Sequence, residues 1–109
     1  MIPESDIEKA CEYLVANARK AAKARAERAY AEEFRKTVKA QIMREHPELA
    51  LGSQERDAYA DARYIQHLAA IKEAIEADEY QRWMMVAAQT KVEAWRTQQA
   101  NVRTQGKIA

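Results

Sequence analysis

His46-Pro47-Glu48-Leu49-Ala50-Leu51-Gly52 is the only interior cluster of helix breakers in a chain of 109 residues that holds 2 Gly and 2 Pro in all. Proline lacks the amide proton a helix needs and pushes the residue before it out of helical geometry, so a helix arriving from upstream must stop near His46. Upstream, residues 4–45 contain neither Gly nor Pro and are rich in Ala, Glu, Lys and Arg, the strongest helix formers. Pro3 suits a first helical turn. Downstream, Ser53 is in place to cap a second helix, with Glu55 and Asp57 near the positive end of its dipole, and no breaker occurs again before Gly106. The reading is all-α: a single helical domain with a helix at about 4–45, a turn at 46–52, a helix at about 54–101 and a frayed tail at 102–109.

Each helix carries an apolar row. Leu14, Ala18, Ala22, Ala26, Tyr30, Phe34, Val38 and Ile42 recur every four residues, and Ile7 and Cys11 extend that row toward the N-terminus. In the second helix Ala58, Ala62, Ile65, Leu68 or Ala69, Ile71 and Ile75 form one stripe, while Tyr80, Met84, Ala87 and Ala94 continue on a shifted face. A helix of 40 or so residues is roughly 60 Å long, more than a compact domain needs, and two of them joined by a short turn predict an antiparallel helical hairpin.

Charge order agrees with that fold-back. Residues 1–15 carry a net charge of −3, residues 16–45 +5, residues 46–81 −5 and residues 82–109 +4. Folding about Leu49 sets residue i against about 98 − i, so the basic block meets the acidic one and the acidic start meets the basic end. Single exposed pairs contribute only about 0–1 kcal/mol, so the pattern selects orientation more than it adds stability. In this register Phe34 faces Tyr64, Tyr30 faces Leu68 and Ala18 faces Tyr80.

Ile71, Trp83, Met85, Val86, Val92 and Trp95 spread over more than half the circumference of the second helix, so one partner helix cannot cover them. A homodimer or higher oligomer forming a four-helix bundle covers them economically. The alternative is a monomeric three-helix bundle with a break near Asp78, a place without Gly, Pro or Asn.

Composition excludes several function classes. The formal net charge of +1 fits neither a generally basic nucleic-acid coat nor an acidic mimic of DNA. No apolar run approaches the roughly 20 residues of a membrane span. A lone Cys11 forms no internal disulfide, and the N-terminus lacks a signal-peptide pattern, which predicts a cytoplasmic protein. His46 and His67 have no carboxylate at the three- or four-residue spacing of a metal-binding helix pair, so neither a metal nor another cofactor is expected. Asp57 and Asp61 read as an acidic face opposite Arg35, Lys36 and Lys39, and Cys11 reads as a packed small hydrophobe. There is no Gly-rich phosphate loop and no triad context, so no enzyme activity is expected.

Two segments are candidate binding sites. The basic stretch holding Arg19, Lys20, Lys23, Arg25 and Arg28 is the best nucleic-acid candidate, with a solvated, partly neutralised helix face as its simpler reading. Trp83, Trp95 and Arg96 are the candidates for a protein partner, because Trp and Arg dominate binding energy at interfaces. Trp95 falls opposite Pro3, where the fold-back runs out of chain, and its simpler role is to staple that end against Met1, Ile2 and Ile7.

Val92, Glu93, Trp95, Arg96, Asn101 and Arg103 resemble the C-terminal segment of small helical proteins encoded by tailed bacteriophages and prophages among early recombination and replication genes. The likeness covers about a fifth of the chain. It implies a phage or prophage origin and a role beside DNA metabolism in the host cytoplasm, and it supplies no catalytic residues. The expected function is therefore a non-enzymatic interaction protein acting on a host or phage DNA-metabolism enzyme as inhibitor or adaptor, with direct DNA binding through the basic row as the alternative.

Overall fold

The computed structural model describes residues 1–108 and is all-helical, with no strand among the described residues. Helix α1 spans Glu4–Met43, α2 spans Leu51–Ala60 and α3 spans Ala62–Ile108. The turn around Pro47 lies where the breakers put it. Three boundaries differ from the sequence reading. The second half of the chain is two helices, because Asp61 leaves helical geometry at φ −69° and ψ 139°. Its N–H donates to the Ala58 carbonyl at 3.2 Å, closing α2, while its carboxylate accepts the Arg63 N–H at 2.8 Å and its carbonyl accepts the Ile65 N–H at 3.1 Å, opening α3. Asp61 thus caps two helices at once, the role in which a short carboxylate is favoured.

Ser53 is not the cap expected of it. The N-cap is Ala50, without a side-chain hydrogen bond, and Ser53 falls inside the first turn of α2. Gln54 serves the junction instead: its side-chain amide donates to the carbonyls of His46 and Leu49, both at 2.9 Å. At the other end, α3 runs unbroken through Asp78 and on to Ile108, so residues 102–108 of the expected tail are helical; Ala109 lies outside the described residues.

The chain forms two compact units, one of residues 1–22 with 80–109 and the other of residues 23–79. In the second, Ile42, Ala58 and Tyr64 form a small core against which Val38 and Met43 pack, and Ile71 is also buried. Partner numbers fall as α1 numbers rise. Arg28 meets Asp78 and Glu79, the Ala31 carbonyl accepts from His67 Nε2 at 2.7 Å, and Glu45 meets Arg63. In the first unit Ile7 and Ala10 are buried, and the Ile2 N–H donates to Gln98 Oε1 at 3.1 Å.

Burial follows mainly mixed steps of three and four residues, and the expected rows pack only in part: Ile7, Leu14, Phe34, Val38 and Ile42 of the first and Ala58, Ile71 and Ile75 of the second are inward. In the first unit the inward residues of α1 include Ile7, Ala10, Leu14, Asn17 and Ala21, and those of α3 Gln81, Met85, Ala88, Val92, Trp95 and Gln99. In the second they include Ala24, Arg28, Ala31, Phe34, Val38 and Ile42 on α1, with Tyr64, His67, Ile71, Ala74 and Asp78 on α3. A strict i+4 row advances about 40° around the helix at each step, whereas a seven-residue repeat drifts only about 20°. Ala18, Ala22, Ala26, Tyr30, Ile65, Leu68 and Cys11 are accordingly exposed, and Cys11 is not the packed hydrophobe expected. Phe34 tilts against His67 and stacks on Tyr30, while Tyr64 meets Tyr59 edge-on.

Candidate functional site

Within the first unit the 3–4 burial pattern turns one face of α3 outward, and that face is apolar. Tyr80 and Trp83 are 61% and 59% exposed, Met84 is at the margin and Ala87 is open. Met84, Ala87, Ala88 and Lys91 line a shallow groove with Asp6, Lys9, Ala10 and Tyr13. Three alanines, a phenol and a thioether share that lining with the carboxylate of Asp6 and the ammonium groups of Lys9 and Lys91, so the groove offers apolar area beside charged groups. The guanidinium of Arg82 lies over the Trp83 ring, 5.0 Å from its centroid, orienting the indole from one side.

Residue type alone points to Trp83, whereas Tyr80 lies on the stripe the sequence assigns to packing and nothing in the sequence singles out Tyr13. Counting in threes and fours from Tyr64 would have placed Gln81 and Met85 inward and Tyr80, Trp83 and Ala87 outward. The other two partner candidates lie elsewhere. Trp95 is half-buried and shares a pocket with Met1, Ile2, Pro3, Glu4 and Gln99, beside the Ile2–Gln98 hydrogen bond. Arg96 is exposed and pairs with Glu93 at 3.0 Å.

The basic row is split. Arg19, Lys20, Lys23 and Arg25 are exposed, with Lys23 3.7 Å from Glu27. Arg28 does not belong with them: it is half-buried and turned onto Glu32, Asp78 and Glu79 at 3.0–3.2 Å, bonds that hold its charge more firmly than usual. An arginine committed to three carboxylates has little left for a phosphate. Nor do Asp57 and Asp61 face Arg35, Lys36 and Lys39. Asp57 pairs with its neighbour Arg56 and Asp61 with Arg63, while Lys39 takes Glu55 at 2.7 Å and the Tyr59 hydroxyl oxygen at 2.9 Å.

Around the helix break, Arg63 holds Glu45 and Asp61 together and keeps both carboxyls below the ordinary carboxylate range. Lys39 does the same for Glu55. Among the described residues no three His, Cys, Asp or Glu side chains are close enough together to hold a metal ion, and no helix is long and apolar enough to cross a membrane. Comparison with family models, with curated proteins and with solved structures finds no match for this chain.

Proposed function

We propose that this chain is a non-enzymatic interaction protein: an antiparallel helical hairpin, its second arm interrupted at Asp61, that self-associates into a four-helix bundle and acts by binding another protein. The observation that carries the reading is the outward apolar row of α3, with Tyr80 and Trp83 each more than half exposed. Large aromatic side chains left in water across successive turns of one helix mark an interaction surface. Light scattering at micromolar concentration tests the reading: about twice 12.5 kDa is expected, and a clean monomer overturns the bundle.

The C-terminal resemblance to phage and prophage proteins supports a host or phage DNA-metabolism enzyme as the protein partner, met in the cytoplasm of the host cell. Trp95 and Arg96 are the residues proposed to reach it, and Trp83 the one proposed to reach the second subunit. Direct DNA binding is the second reading, and the observation in its favour is that Arg19, Lys20 and Arg25 stand exposed on α1. At about 150 mM salt the leading reading expects affinity for DNA no better than the non-specific range of roughly 10⁻⁴–10⁻⁶ M. Submicromolar binding abolished by changing Arg19, Lys20 and Lys23 to Glu would put the second reading first.

A further inference from the structure

We propose that the self-association surface is the outward face of α3 itself, and that its occupant is the same face of a second copy, set antiparallel about a two-fold axis between Trp83 and Met84. This deepens the self-association reading and rests on it.

Two helices crossing antiparallel about such an axis bring together residues whose numbers have a constant sum. One register satisfies the whole row. With the axis between positions 83 and 84, Tyr80 falls on Ala87 of the other copy and Trp83 falls on its Met84. The bulky phenol thereby lands beside the small side chains of Ala87 and Ala88, and the indole meets a thioether, a pairing that polarizable sulfur favours. Each contact occurs twice, as an isologous interface requires. Sliding the copies by one turn in either direction loses this match and sets Tyr80 against Trp83 or against Lys91.

Charge agrees. Tyr80, Trp83, Met84 and Ala87 carry no charge, and the cation that continues the row, Lys91, falls on the exposed Glu76 of the other copy in this register, so the two copies meet without like-charge repulsion.

The test is cysteine cross-linking in full-length protein carrying Cys11→Ser. Met84→Cys, next to the axis, is expected to form a disulfide-linked dimer under mild oxidation. Tyr80→Cys and Ala87→Cys are expected to cross-link when mixed and far less when each is alone, and Val15→Cys, exposed on α1, is expected to stay monomeric on a denaturing gel. Independently, Trp83→Glu should lower the light-scattering mass from about twice 12.5 kDa to 12.5 kDa while circular dichroism keeps its helical signal. A wild-type dimer that survives Trp83→Glu, or that cross-links through Val15→Cys and not Met84→Cys, overturns this interface and leaves self-association standing. A wild-type monomer overturns both.

Discussion

Arg28 Nη1 lies 3.2 Å from Asp78 Oδ2, and both residues occupy inward positions of their helices, where an apolar pair would be ordinary. Glu79 at 3.1 Å and Glu32 at 3.0 Å complete the surround. A polar pair at such a position fixes which residues face each other, because any slip leaves half-buried charges without partners.

That arrangement predicts a non-additive mutant cycle. Asp78→Leu and Arg28→Leu should each lower the melting temperature, and the double variant should be more stable than either single one. Simple addition in thermal melts would mean that the pair contributes nothing to register.

Gln81 sits at an inward position of α3 with its side-chain carbonyl oxygen buried and without a hydrogen-bond partner among the described residues. Gln81→Met keeps the length of the side chain and removes the orphaned acceptor, so it should stabilise the protein by about 1 kcal/mol in urea unfolding. A loss of stability would show that the amide is satisfied in solution.

Acid should loosen the region around the helix break. Arg63 depresses Glu45 and Asp61, and Lys39 depresses Glu55, so each carboxyl has a lower pKa folded than unfolded. The corresponding stability is complete above the unfolded value of about 4. It is lost as pH falls through that value toward the depressed folded ones. Melting temperatures should therefore hold level from pH 7 to about 5 and then decline, and Arg63→Gln should flatten the decline. An unchanged acid limb in that variant would remove the clasp from consideration.

Trp95 tests whether the open end is a binding site or a staple. Its shared pocket with Met1–Glu4 predicts that Trp95→Ala costs about 1–2 kcal/mol, part of the larger loss seen when a fully buried Trp is truncated. Amides in the first turns of α1 should then exchange faster with solvent. Unchanged stability with weakened partner binding would instead make Trp95 the contact residue.

Breakers and charge order made much of the helical layout legible. Pro3 and Pro47 mark the ends of α1, and the basic middle of α1 does find acidic partners, Arg28 with Asp78 and Lys39 with Glu55. The break at Asp61 was hidden because Ala60 and Ala62 on either side are strong helix formers, although Asp61 two residues before Arg63 carries the signature of a capping carboxylate. The candidate face was half legible. Residue type singled out Trp83, but Tyr80 needed the correct period, and with so many alanines both the i+4 row and the 3–4 row look apolar on paper. Only the placement of Gln81, Asp78 and Arg28 separates them, and those polar residues argue against the true answer until their partners are known.

Helix α2 is ten residues long, begins on an uncapped Ala50, ends at the bend of Asp61, and buries a single residue, Ala58. Little apolar area holds it down, so its opening is a far smaller event than unfolding of the whole chain. When it lifts, Ile42 and Tyr64 are stripped of their cover, and the peptide bonds after Arg56 and Arg63 come within reach of a trypsin-like protease. A cut confined to that stretch under native conditions would report the opening of α2 alone, and the Lys39–Glu55 pair is the clamp whose loss should speed it.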